Sequence, residues 1–228
     1  MNSLPTSLSL AFGQLGDPAI IRVFLKSIGI TLILIALVGV LLFQAIINAS
    51  AYVGMSIGAE ATYFVAIVLT MLASWLLFRI IALIVLQFFA DEVVAAVEKM
   101  HYLEHAANVR KVPFRQELAH AARGGLRALG INLLALPFAL ILLVTGIGTA
   151  VLFWAVNAWL LGRELQDMVW LRHRHDPAEA APLTGPQRFM LGGAVAGIMF
   201  VPFLNLLAPI LGAASATHMV HRSKEQSL

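Results

Sequence analysis

The chain has no cysteine and little charge, and each shortage narrows what it can be. Cys is absent from all 228 residues, which excludes disulfides, thiolate metal sites and cysteine nucleophiles. Charged residues make up 12%, about half the roughly 25% of an ordinary soluble domain. No Gly-rich phosphate loop and no Gly-x-Ser-x-Gly turn occurs, so an ATP-driven pump or a hydrolase has no support. The start, Met1-Asn2-Ser3-Leu4-Pro5, lacks a basic region followed by an apolar one, and no cleaved signal is expected.

What is present is apolar. Hydrophobic residues make up 60% and the mean hydropathy is +0.88, the profile of an all-α integral membrane protein that crosses the bilayer several times. At this length, residues 1–228 read as a single membrane domain. The pI near 9.6 does not point to nucleic acid, because the basic residues sit beside apolar segments, as the positive-inside rule expects.

Residues 5–26 read as an entry segment with a turn at Leu15-Gly16-Asp17-Pro18. Asp17 suits an N-cap and Pro18 the first helical position, so a helix is expected to start there and continue into the first span. Ser27 to Ala49 carries no charge and is rich in Leu, Ile and Val, a transmembrane helix. The connection 50–60 carries no Lys or Arg. Ala61 to Ala90 is a long apolar segment whose only charge is Arg79. It is longer than the hydrocarbon core requires, and Arg79 reads as snorkelling at the interface, with a functional charge deeper in the membrane as the alternative.

From Asp91 the pattern becomes amphipathic and cytoplasmic, with Val93, Val97 and Met100 on one stripe and Glu92, Glu98 and Lys99 off it. A basic turn follows at 108–113. A second amphipathic helix, Phe114 to Arg127, sets His120, Arg123 and Arg127 on one face. That face reads as touching lipid phosphates, with an anion-gathering vestibule as the alternative. The linker 163–188 is polar, and its His173 and His175 read as part of a solvated basic loop. His218, near a helix end, reads as a hydrogen-bonded interfacial histidine, with a pH sensor as the alternative.

Two apolar stretches have awkward lengths. Ala128 to Gly162 carries no charge and is interrupted at Thr145-Gly146-Ile147-Gly148-Thr149. Phe189 to Thr217 is uncharged as well, interrupted at Pro202-Phe203-Leu204-Asn205-Leu206-Leu207-Ala208-Pro209. One span takes about 20 residues, so each is too long for one helix and tight or short for two. Broken backbone at bilayer depth must be buried in protein or line a wet cavity, and paired short helices around such breaks recur in solute sites.

Every Lys and Arg except Arg79 falls before the first span, in 91–127, in 163–188 or in the tail. All share one face only if each broken stretch enters and leaves on the same side. In the second stretch the turn leaves about 12 residues per arm, about 18 Å. The expected architecture is therefore two long transmembrane helices plus two half-membrane, re-entrant helical hairpins (128–162 and 189–220), with amphipathic surface helices. Two full hairpins, giving six spans, is the alternative. N- and C-termini are then cytoplasmic.

The segment Pro202 to Pro209, followed by Ala213-Ala214-Ser215-Ala216-Thr217, resembles the signature of the CysZ sulfate permeases and their relatives, the etoposide-induced protein family. Gly146-Ile147-Gly148, Ala158-Trp159 with Asp167, Phe89 with Asp91, Val97 and Glu98, and Pro18 with Ile20 and Arg22 match the same family in order. The resemblance covers nearly the whole chain. It implies a bacterial inner-membrane permease or channel for sulfate or a related small oxyanion, linked to sulfur assimilation and forming homo-oligomers.

It also places an anion site at residues 18–22, where the family has a Pro-Gly-Leu/Ile-Arg-Arg loop. Here the text is Pro18-Ala19-Ile20-Ile21-Arg22: Ala19 replaces the Gly and Ile21 the first Arg. Lys26, one turn on, would restore some of the lost charge without the planar fork of an Arg. The expected substrate-binding residues are Arg22, Lys26, Ala19 and Ile20. Thr145, Gly146, Gly148, Thr149, Pro202, Asn205 and Pro209 would shape a central path, where helix N-termini offer unsatisfied N–H groups.

A non-transporting structural or regulatory module of the same fold is the alternative function. His101-Tyr102-Leu103-Glu104-His105 matches an H-x-x-E-H zinc-peptidase pattern, with both His on one helical face, but a third ligand and a soluble catalytic domain are not apparent. Enzymatic activity, cofactors and metals are not expected.

Overall fold

The computed structural model describes residues 4–52, 58–110, 113–174, 176, 179–202 and 204–225, leaving aside the side chains of Ala59, Arg79, Leu83, Gln87, Phe114 and Glu117. The expectation for Arg79 and that for His175 lie outside the described residues. Among the described residues, nine α-helices carry the fold: α1 (Leu4–Gly13), α2 (Pro18–Tyr52), α3 (Ala59–Phe88), α4 (Ala90–His101), α5 (Leu103–Ala107), α6 (Phe114–Leu142), α7 (Ile147–Trp170), α8 (Gly185–Met199) and α9 (Ala208–Glu225). No strand occurs among them. The chain divides into two compact units, a first of residues 1–20 with 90–228 and a second of residues 21–89.

The second unit is two long apolar helices. Asp17 Oδ1 accepts the Ala19 N–H at 2.8 Å, the capping bond expected of an Asp-Pro start, and α2 then runs unbroken for 35 residues. It meets α3 antiparallel: Gly39 lies opposite Ser74 and Thr70, and the Phe43 and Tyr63 rings stack at 6.4 Å. Large side chains such as Ile33, Leu37, Trp75 and Leu76 stand exposed around both helices. In water such a surface would be untenable; in a bilayer it is the solvent-matched face.

The first unit is built around α9. Its residues from Ile210 to His221 are buried without interruption, against α1, α4, α7 and α8. Helices α7 and α8 make the closest pairing. A Cβ on Gly192 would collide with the Ala158 carbonyl oxygen, and one on Gly162 with the Arg188 carbonyl oxygen. Ala158 and Gly162 on one helix, with Gly192 and Ala196 on the other, are the small-residue spacing that lets membrane helices touch backbone to backbone. Trp154 locks the pair by donating its indole N–H to the Gly193 carbonyl at 2.9 Å.

Two differences from the sequence reading concern the broken stretches. Among the described residues, three helices rather than two are long and apolar enough to cross a membrane: Pro18–Tyr52, Glu60–Leu86 and Leu118–Thr145. The third arises because the amphipathic segment 114–127 continues into the apolar arm as one 29-residue helix, about 43 Å long. The arms of the second stretch also exceed the expected length, with 15 residues in α8 and 18 in α9. Each runs on into polar flanks: α8 starts before the apolar text, with the Thr184 N–H donating to Gln187 Oε1 at 2.8 Å, and α9 ends at Glu225.

The glycines yield a paired prediction. Gly192→Leu must push α7 and α8 apart and should lower stability by about 1–3 kcal/mol. Gly197 on the same helix has open space where a Cβ would sit, so Gly197→Ala should be neutral or stabilising by up to about 1 kcal/mol. Thermal unfolding of the two variants in detergent checks both signs.

Candidate functional site

Five of the chain's seven histidines converge inside the first unit. Glu98 comes from α4, His173 from the turn that follows α7, and His218 and His221 from one face of α9. His101 and His105 flank Tyr102, where α4 gives way to α5. Glu98 is 1% exposed and His221 0%. The carboxylate oxygen Oε1 accepts from His173 Nε2 at 2.7 Å and from His221 Nε2 at 3.2 Å. Arg172 Nη2 stands 3.9 Å from Oε2, while its Nη1 donates to the Asp91 carbonyl at 3.2 Å. The His221 ring packs against Tyr102 at 4.7 Å and His105 at 4.4 Å.

A second cluster joins this one through Tyr102. His218 is hydrogen-bonded at both ring nitrogens, by Tyr102 Oη to Nδ1 at 2.9 Å and by Gln14 Nε2 to Nε2 at 2.9 Å. The neutral ring with its proton on Nδ1 satisfies both: it accepts from the Gln14 amide and donates to the phenol oxygen. His101 closes the far side, its ring 5.5 Å from that of His218.

Electrostatics follow from burial. Desolvation by itself would raise the Glu98 carboxyl, but the hydrogen bonds from His173 and His221, with the electrostatic pull of His173 and Arg172, outweigh it and hold the group at about 2. Burial lowers His221, aided by His105 and His173 and opposed by Glu98. Burial lowers His218 to about 4, with His101, Arg222 and His221 adding to the effect. Tyr102 is raised to about 12 by burial and by Glu225.

These positions correct three sequence expectations. Glu98 does not lie off the buried stripe of α4: it shares the buried face with Val93, Val94 and Val97, because α9 supplies the imidazole that makes burial tolerable. His173 is not solvated but 4% exposed, tucked under Glu98. His101 and His105 do not share a continuous helical face, since Tyr102 breaks the helix at φ −136° and ψ 56°; His105 turns to His221 and His101 to His218.

The other predicted residues are more scattered. The Ala19 N–H is occupied by Asp17 and Ile20 is buried. Arg22 and Lys26 are exposed on α2, one turn apart, and Lys26 Nζ lies 4.7 Å above the Phe89 ring. At the first break, Gly146 adopts φ +63°, a value that suits glycine. Thr145 Oγ1 donates to the Leu142 carbonyl at 2.7 Å and accepts the Gly148 N–H at 3.0 Å, while Thr149 Oγ1 donates to the Ala139 carbonyl at 3.2 Å. A Cβ on Gly148 would crowd Thr145 Oγ1 and Leu142. At the second break, the Pro202 carbonyl accepts the Leu204 N–H at 2.8 Å and the Asn205 N–H bonds the Val201 carbonyl at 3.0 Å. Pro209 is the second residue of α9.

His120 and Arg127 lie on the side of α6 that meets α7. They line a groove of about 270 Å³ with Asn132, Asn157, Arg163 and Asp167. Asp167 Oδ2 is flanked by His120 at 3.4 Å and by Arg163 at 3.8 Å. Arg123 stays exposed outside the groove.

A charge-poor helical chain with three bilayer-length apolar helices and a buried polar cluster in its first compact unit is an integral membrane protein. The family model described as sulfate transporter CysZ/Etoposide-induced protein 2.4 matches residues 7–209, and the chain belongs to that family. No curated protein and no solved structure matches it.

Because His218 is protonated more easily unfolded than folded, stability should fall as pH drops from about 6.5 towards 4, by about 3 kcal/mol at most. Unfolding in detergent across that range should show the slope, and His218→Gln should flatten it. An unchanged slope in the variant would remove His218 as the cause.

Proposed function

We propose that the chain is a bacterial inner-membrane permease or channel for sulfate or a related small oxyanion, serving sulfur assimilation. The observation that carries the reading is the family match over residues 7–209. The basic residues cluster on the segments expected at the cytoplasmic face, consistent with cytoplasmic termini and two re-entrant hairpins. Arg22, helped by Lys26, contacts the anion at the cytoplasmic mouth through charge-assisted hydrogen bonds. Arg127 and Arg163 in the α6–α7 groove gather anions, and the breaks at 145–149 and 202–209 shape the route. Transport needs no covalent chemistry and no cofactor, and the permease works as a homo-oligomer.

Two observations favour a second reading, a membrane module that organises lipid or a partner without moving solute. The Ala19 N–H that would face an anion is already bonded to Asp17, and Ile21 stands where the family carries an Arg.

Radiolabelled sulfate uptake into proteoliposomes separates the two. The permease reading expects flux that selenate competes for, and Arg22→Ala should weaken anion recognition by about 10- to 100-fold, the loss of one charge-assisted contact. Absence of flux in the unaltered protein supports the module.

A further inference from the structure

Glu98, His173 and His221 are brought together from positions 75 and 123 residues apart. One atom from each, two imidazole nitrogens and a carboxylate oxygen, lies within 4.8 Å of the others. All three side chains are almost wholly shielded, at 1%, 4% and 0% exposure. As a hydrogen-bonded triad the arrangement is incomplete. Oε1 takes both imidazoles, while Oε2 of Glu98 and Nδ1 of His221 have no hydrogen-bond partner. A buried polar atom left in that state costs about 1–3 kcal/mol.

A cation between the three groups changes the balance. Two Nε2 lone pairs and the carboxylate can all point at it, and Oε2 gains a second point of attachment. The donor set selects the ion. Two imidazoles and a carboxylate suit zinc and its first-row neighbours, whereas calcium and magnesium want oxygen donors throughout. His105, its ring 4.4 Å from that of His221 and 6.1 Å from that of His173, is a further imidazole beside these three groups. Arg172 already has a second partner in the Asp91 carbonyl, so its guanidinium can leave Oε2 to the ion.

We propose that Glu98, His173 and His221 form a binding site for one divalent transition-metal ion of the zinc class, completed by His105 or water, which fastens α4, the end of α7 and α9 to one another. The site does not depend on the transport reading. It is closed by protein on most sides, which suits a structural or regulatory ion rather than a hydrolytic one.

The test uses the full, tag-free chain in detergent, stripped with EDTA and titrated with Zn²⁺ and separately with Co²⁺. One ion per chain should bind, the Co²⁺ form should show the intense visible absorption of a four-coordinate site, and Zn²⁺ should raise the thermal midpoint. Glu98→Gln and His221→Ala should each weaken binding at least about 100-fold, given that even outer-shell partners are worth roughly 10- to 100-fold. His120→Ala, in the α6–α7 groove, should bind as the unaltered chain does. The proposal is overturned if the unaltered chain takes up no stoichiometric ion, gives no such Co²⁺ spectrum and melts at the same temperature with Zn²⁺ or EDTA. That readout stands even if the variants fail to fold. Equal affinity in folded Glu98→Gln and His221→Ala overturns it too.

Discussion

A carboxylate removed from water must be met by opposite charge or by donors, and the first unit is arranged around meeting that demand for Glu98. Isolated burial of such a group is prohibitive. Here α4 brings the carboxylate, α9 brings one imidazole, and the turn after α7 brings the other together with a guanidinium. None of these elements can shift far without stranding a buried polar atom. The apolar contacts of Val93, Val97, Leu211 and Val220 supply bulk attraction, which is indifferent to register. The Glu98 contacts supply the register.

The second unit obeys the opposite rule. Helices α2 and α3 bury little against each other and display leucine, isoleucine and tryptophan outward. In hydrocarbon there is no apolar driving force between helices, so the pair need only satisfy its own backbone, which a helix does unaided. The two units thus differ: the second shows apolar side chains almost all round, while the first, which also carries the apolar helix Leu118–Thr145, shelters a buried polar cluster as well. The belt of polar side chains at α6–α7 fits between these extremes, since His120 and Arg163 hold Asp167 without full burial.

Much of the backbone was legible because it follows local rules. Asp17-Pro18 announces a helix start, Thr145 to Thr149 a break, and the long apolar runs 27–49 and 61–90 announce bilayer-length helices. The continuation of α6 through residue 128 was harder. No proline or capping residue marks the change from amphipathic to apolar text, and Gly124 and Gly125 do not stop a helix that neighbouring packing sustains. The histidine cluster was illegible for a different reason. Glu98, His173 and His221 are joined only through the tertiary fold, and each taken singly reads as an ordinary polar residue. A faint signal existed: His218 and His221, and likewise Glu98 and His101, repeat at three-residue spacing in a chain with few ionisable groups. Spacing of that kind places side chains on one face but does not say what the face meets.

The packing of α1 on α9 has a consequence for how the molecule is made. The Gln14 bond to His218 closes a separation of 204 residues, and the core of the first unit has no centre until α9 has left the ribosome. Synthesis runs at about 5–20 residues per second, so α1, α4 and α7 wait many seconds with their inward faces unfilled while α2 and α3 can already sit in lipid. Non-local closure of this kind is slow. The nascent chain therefore passes through a state in which α2 and α3 are already formed and the polar interior of the first unit is still open.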